Sequence, residues 1–279
     1  VVYGPRRDDP LALTAMAPQF SFIVTTHLRA SLLRRSLGSI LAQSVQDFEI
    51  IVVADALDAG TAAAVAELLR PQDVFIKRNG RPGPAESRNA GVRAAHGEWV
   101  LFLDDDDSLE PHHLAALDAA IQAQGPQAQV LFSDIQVVKE NRSESGVEFL
   151  QRDAVPLGHV PVETLHLKNF IPNNALAFRR SVLEGCEVDP HLASQEDWDF
   201  LLAVCAKAMP RHYAGGGAVV HKDVNLGTRR GSSESSNDQT VVLDFLHIYR
   251  RWPAPSEAWR EQRKALIRSV GLDLPQNWF

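Results

Sequence analysis

Apolar positions along this chain fall into two alternating rhythms. Residues 20–24 form a short apolar run, and 48–53 and 74–76 repeat it with β-branched residues, so each predicts a buried strand. Between them Leu32, Leu33, Ser36, Leu37, Ile40 and Leu41 recur at helical spacing, predicting an amphipathic helix over 30–43. The Ala-rich segment 61–69 predicts a second helix, with Asp58 or Gly60 at its start, and 84–96 a third, closed by Gly97. A fourth strand over 99–103 follows. Strand and helix thus alternate for about a hundred residues, the order of a mostly parallel, doubly wound α/β sheet. The loops near 25–28 and 54–59 then belong on the same sheet edge as whatever follows residue 103.

After residue 125 the rhythm weakens. The pattern predicts a strand at 130–133, a polar stretch over 139–148 and a loop around Pro172, Asn173 and Asn174. A helix over 197–207, a Gly- and Ser-rich segment over 215–236 and a helical region from about 238 complete it. The expected organisation is a linker or tail over 1–18, one domain over 19–236 with halves 19–125 and 126–236, and a helical region over 237–279.

The fourth strand runs into Asp104, Asp105, Asp106 and Asp107. Four adjacent carboxylates repel unless something neutralises them, and hard divalent cations such as Mg²⁺ or Mn²⁺ prefer oxygen ligands. The carboxyl end of a strand in an open α/β sheet is also where ligands bind. An acidic turn capping the helix after Pro111 is the competing explanation.

Composition narrows the function classes. With 45% hydrophobic and 23% charged residues the chain is of ordinary globular type, and a net charge of -7 argues against a nucleic-acid partner. Cys186 and Cys205 fit no disulfide framework or zinc spacing and read as buried apolar residues. Neither a secretory signal nor a bilayer-spanning apolar run is expected, which suits a cytoplasmic location. The Val1-Val2 start reads as a processed chain or a domain of a larger protein.

Four stretches, in order, carry a family resemblance: Phe22-Ile-Val-Thr-Thr-His-Leu-Arg with the following Leu-rich helix; Glu49-Ile-Ile-Val-Val-Ala-Asp; Gly83-Pro-Ala-Glu-Ser-Arg-Asn-Ala-Gly leading to Phe102-Leu-Asp-Asp-Asp-Asp; and Gln195-Glu-Asp-Trp-Asp-Phe. Together they resemble glycosyltransferase family 2, the inverting nucleotide-sugar transferases of the GT-A fold. The family's first strand usually ends in a Pro-Thr-Tyr-Asn-like turn and its second in two aspartates. Here they end in Thr25-Thr26-His27-Leu28 and Ala54-Asp55, which leaves base identity open.

The resemblance implies roles. Asp106 is the direct ligand of a divalent metal, Mn²⁺ or Mg²⁺, with Asp104 and Asp105 facing the ribose and the metal's water shell. His221 supplies a late metal or pyrophosphate ligand, and Asp107 stabilises the following helix. Asp55 accepts a hydrogen bond from the base, favouring a UDP- or dTDP-type donor, with Thr25 and a stacking His27 beside it; a capping or turn role for Asp55 remains open. Arg88 reaches the acidic cluster or a phosphate, or is an exposed helix charge. Asp197 is the general base and Glu196, the second catalytic residue, holds it or contacts the acceptor or donor sugar, although Ser194-x-x-Asp197 also reads as a capped helix start whose dipole keeps the base ionised. Arg229, Arg230, Ser232 and Ser233 lie on a loop that closes over the phosphates, and Asn173 and Asn174 are candidates for a sugar hydrogen bond. The expected activity is inverting transfer of a hexosyl or related unit to a glycan or glycolipid, as in bacterial surface polysaccharide synthesis. Association with the inner membrane face or with other domains of a polymerase fits that setting. A nucleotidyltransferase lacks its Gly-rich, Lys-bearing loop here and leaves Glu196-Asp197 idle. A non-catalytic sugar-nucleotide-binding module is the other alternative.

Overall fold

The computed structural model describes residues 2–3, 17–143, 146–225 and 239–279. Its strands are β1 (Val2–Tyr3), β2 (Phe20–His27), β3 (Phe48–Ala56), β4 (Val74–Lys77), β5 (Trp99–Asp104), β6 (Ser108–Leu109), β7 (Val130–Ser143), β8 (Gly146–Val155), β9 (Leu176–Arg179) and β10 (Arg211–Asp223). The α-helices are α1 (Ala30–Leu41), α2 (Ala59–Leu68), α3 (Pro84–Ala94), α4 (His113–Gln124), α5 (Glu196–Cys205), α6 (Gln239–Arg251) and α7 (Glu257–Ser269). Among these residues the strands make one sheet in the order β1-β4-β3-β2-β5-β9-β7-β10-β6, with β8 paired to β7.

β4, β3, β2 and β5 run parallel, and β9 enters antiparallel between β5 and β7. β2 lies between β3 and β5 with α3 packed on it, and Phe20, Phe22, Ile23 and Val24 are all fully buried, the continuous apolar run of a central parallel strand. Its register pairs Thr25 with Asp104 and His27 with Ala56, which brings the ends of β2, β3 and β5 to one edge, as the alternation predicted. α1 buries Leu33, Ser36, Leu37 and Ile40, and Asp58 caps α2 by accepting from the Thr61 backbone N–H. One aromatic group joins the halves and another joins the second half to α6. Phe102, Phe178 and Phe200 meet edge-on with centroids 5.8–5.9 Å apart, and Trp198 packs on Phe245 at 4.9 Å. Arg263, fully buried on α7, stacks 4.3 Å over Tyr249 and donates to the carbonyls of His166 and Trp252.

Three local expectations are corrected. α3 ends at Ala94 rather than at Gly97. Gly97 serves a close approach instead: a Cβ there would lie 2.7 Å from the Phe20 carbonyl carbon and the Ser21 nitrogen. Buried Glu49 accepts from Ser21 Oγ and from the His96 and Gly97 N–H groups at the same corner. Gly97→Ala therefore forces backbone against backbone, and should lower the urea midpoint by an amount equivalent to about 1–3 kcal/mol. An unchanged midpoint would show that the corner yields freely. Second, the described residues of the polar stretch 139–148 belong to two paired antiparallel strands, β7 and β8, whose pairing extends to Ser143 and Gly146. Third, residues 215–223 of the Gly- and Ser-rich segment belong to β10, a strand with a register shift between Tyr213 and Ala218, while 226–236 lie outside the described residues. No helix among the described residues is long and apolar enough to cross a membrane.

Candidate active site

The edge where β2, β3 and β5 end forms the floor of a cavity of about 600 Å³, and the start of α5 forms its far wall. Thr25, His27, Asp55, Arg88, Asp104 and Asp106 line it from the first half, with Glu196 and Asp197 opposite. Two non-glycine residues have positive φ: Gln195, at 58°, lines the cavity, and Leu28, at 53°, lies between the lining residues His27 and Arg29. Such strained positions concentrate at functional sites because the surroundings must hold them.

Where β2 and β3 end, His27 Nδ1 lies 2.5 Å from Asp55 Oδ1, and Asp55 Oδ2 accepts from the Gly83 N–H at 2.7 Å. Asp58 rather than Asp55 is the helix cap, so Asp55 is free of that role. Thr25 Oγ1 donates to Asp104 at 3.4 Å, a weak contact.

Arg88 is buried and donates Nη2 to Asp104 Oδ1 at 3.0 Å and Nη1 to Glu196 Oε1 at 2.7 Å. Burial opposes its charge, but the surrounding carboxylates of Asp104, Glu196 and Asp197 outweigh this and raise its pKa. One guanidinium thus joins the acidic strand end to the acidic helix start, so the alternative of an exposed helix charge is discarded.

The four aspartates separate by depth. Asp106 stays half-buried on the cavity wall, and its Oδ2 accepts from Arg29 Nη1 at 3.2 Å and Arg142 Nη1 at 3.1 Å. Asp105 departs from the expected ribose-facing place. It is fully buried, accepts from Thr26 Oγ1 at 2.7 Å, is ion-paired with Arg29, and does not line the cavity. Burial pushes its pKa up to about 6, against the pull of Arg29. Asp107 accepts from the His221 N–H at 2.9 Å and so pins β10, not the helix after Pro111.

His221 does not line the cavity. Its Nδ1 contacts Glu140 Oε2 at 2.9 Å and its Nε2 contacts Ser108 Oγ at 2.8 Å, so both ring nitrogens are engaged away from the cavity. Asn173 and Asn174 are buried, and Asn174 donates to the Val219 carbonyl rather than facing the cavity. Arg229, Arg230, Ser232 and Ser233 lie outside the described residues. No motif in the sequence singles out Arg29, Arg35, Glu140 and Arg142; the long β7 brings Arg142 to Asp106, and Glu140 to Arg35 and Arg142, which both contact that aspartate.

At the far wall, Asp197 Oδ1 accepts from the Trp198 N–H at 2.7 Å and Oδ2 from Asn169 Nδ2 at 3.3 Å. Ser194 does not cap α5; it donates to Asp244, and Gln195 precedes the helix without a side-chain cap. Burial, reinforced by neighbouring Glu196, raises the Asp197 pKa despite Arg88. The helix dipole therefore does not keep this carboxylate strongly acidic. A raised carboxylate is a better proton acceptor once ionised.

The model of the family described as "Glycosyl transferase family 2" matches residues 21–184. The chain belongs to glycosyl transferase family 2. Among relatives of this family 2 chain is the succinoglycan biosynthesis protein ExoO of Rhizobium meliloti. It is 32% identical over 203 residues, 68% of this chain and 56% of that protein. The GalNAc(5)-diNAcBac-PP-undecaprenol beta-1,3-glucosyltransferase of Campylobacter jejuni is 39% identical over 103 residues, 36% of this chain and 33% of that protein. The chain spans roughly half or less of these relatives' length. S. aureus TarS 1-349 in complex with UDP-GlcNAc superposes with a TM-score of 0.64 at 18% identity, over 89% of this chain and 71% of that one. The mannosyltransferase PcManGT from Pyrobaculum calidifontis, in complex with GDP-Man and Mn²⁺, gives 0.57 at 18% identity, over 94% and 78%. The shared architecture is the GT-A fold.

Proposed function

We propose that this family 2 glycosyltransferase moves a hexosyl or related unit, with inversion, from a nucleoside-diphosphate sugar to a hydroxyl of a growing glycan. A glycolipid or polysaccharide acceptor of bacterial surface assembly fits the relatives' names. That setting favours work at the inner face of the membrane, alone or beside other domains. The observation that carries the reading is the Arg88 bridge, which holds the acidic strand end and the Glu196-Asp197 pair on one cavity.

Asp106 fits a divalent cation, Mn²⁺ or Mg²⁺. Both arginine contacts fall on its Oδ2, and among the described residues Oδ1 accepts no hydrogen bond. One or two carboxylates with donor phosphates suffice for such an ion. When bound, the cation supplies charge neutralisation for the departing diphosphate. The chain's residues do the rest. Asp55 retains acceptor capacity beyond its contacts with His27 and Gly83, so it suits the ring N–H of uracil or thymine. Arg88 holds Asp104 and Glu196 at fixed separation. Asp197, ionised, takes the proton of the attacking hydroxyl, and Glu196 keeps the neighbouring polar wall in place.

A ligand that binds only the folded state raises its stability by about 2.7 kcal/mol at a hundredfold excess over Kd. With Mn²⁺, UDP or dTDP should therefore raise Tm by on the order of 5 °C, and without it by much less. An equal shift from GDP would overturn the base preference. No shift from any nucleotide would overturn the donor reading.

A further inference from the structure

Glu140 sits on the far end of β7, 2% exposed, and holds three partners. Arg35 Nη1 donates to both of its oxygens at 2.8 and 3.1 Å, Arg142 Nε donates to Oε1 at 2.7 Å, and His221 Nδ1 lies 2.9 Å from Oε2. Each guanidinium then grips Asp106. Arg35 Nη2 donates to the Asp106 carbonyl at 2.6 Å, and Arg142 Nη1 to its Oδ2 at 3.1 Å. The third donor of Arg142, Nη2, goes to the His221 carbonyl at 3.1 Å, and His221 is backed by Ser108. One buried carboxylate therefore governs both the main chain and the side chain of the same aspartate. The charges of Arg35, Arg142, Glu140 and Asp106 balance.

We infer that Ser108, His221, Glu140 and Arg142 form a positioning relay for Asp106, which turns Oδ1 toward the cavity, and that His221 is not itself a ligand of the cation. This rests on the reading that Asp106 holds the cation. A group that only stabilised the fold would not need to end on one oxygen of a cavity-lining carboxylate. Partners behind a metal-binding side chain characteristically change metal affinity about 10–100-fold when removed.

The test measures Mn²⁺ affinity in saturating UDP by EPR, for the whole chain and for Glu140→Gln, Arg142→Lys, Ser108→Ala and Asp106→Asn. Glu140→Gln should weaken Mn²⁺ roughly 10–100-fold. Arg142→Lys, which keeps the charge but not the fork, and Ser108→Ala, the mildest change, should weaken it less while keeping the wild-type Tm. Pulsed EPR of the wild-type Mn²⁺ complex should show no directly bound imidazole nitrogen. A bound imidazole, or wild-type affinity in Glu140→Gln and Arg142→Lys while Asp106→Asn has lost it, overturns the relay. Unchanged affinity in Asp106→Asn overturns the cation reading beneath it.

Discussion

Asp197→Asn is expected to slow transfer by about 10²–10⁴ while leaving nucleoside diphosphate affinity near wild type. The amide keeps the size of the carboxylate and can still accept from the Trp198 N–H, so the start of α5 should persist. It cannot take the acceptor's proton. The pH dependence has a definite sign. Burial and Glu196 raise the Asp197 pKa, and only the ionised form acts as base. Activity of the wild type should then fall on acidification through a pKa above the ordinary carboxylate value of about 4, and the variant should lack that limb. Stability runs the other way. A carboxyl whose folded pKa exceeds its unfolded pKa loses stability as pH rises between the two, so Asp197→Asn should be the more stable protein at neutral pH and lose that advantage in acid. Transfer assays, nucleotide titration and urea unfolding on one preparation test all three. Near-normal transfer removes Asp197 as the base, and a product of retained anomeric configuration, read by NMR, removes inversion.

Arg88→Met should cost about 3–5 kcal/mol at neutral pH, because it leaves carboxylates facing one another without their buried counter-charge. Much of that loss should disappear on acidification, when those carboxylates take up protons. Donor affinity and acceptor KM should both deteriorate, which separates this variant from Asp197→Asn. A neutral-pH urea midpoint equal to wild type would show that the bridge does not hold the two walls together.

The first half of the fold was readable because its strands are buried on both faces. Residues 20–24, 48–53 and 99–103 have no polar face to hide their pattern. β7 and β10 were harder. Lys139, Glu140, Arg142, His221 and Lys222 look like solvated chain, yet several of these side chains form a buried polar network, and a strand facing such a network loses the apolar alternation that identifies it. Gly216 and Gly217 resemble loop residues for a similar reason. Their hydrogens are needed where β10 presses against Ser133 and Glu110. The candidate site divides in the same way. Asp104, Asp106, Glu196 and Asp197 stand in compact motifs, whereas Arg142 and Asp106 lie 36 residues apart and meet only through sheet pairing. Burial sorted Asp105 from its neighbours, and nothing in four identical letters encodes depth.

The antiparallel partner of β7 has consequences for how the protein behaves at high concentration. β8 is exposed from Gly146 to Arg152, with Val147 and Phe149 at 50% and 64%, and among the described residues only β7 pairs with it. A long exposed edge carrying Val147, Phe149 and Leu150 is a template for intermolecular ladders, only partly blunted by Glu148 and Arg152. Its register, however, jumps from Gln151 opposite Lys139 to Phe149 opposite Glu140, so Leu150 is an extra residue that breaks the regular spacing a newcomer must match. Deleting Leu150 should restore an even spacing along this edge, so the shortened chain is expected to self-associate at lower concentration than the natural one, as light scattering would read.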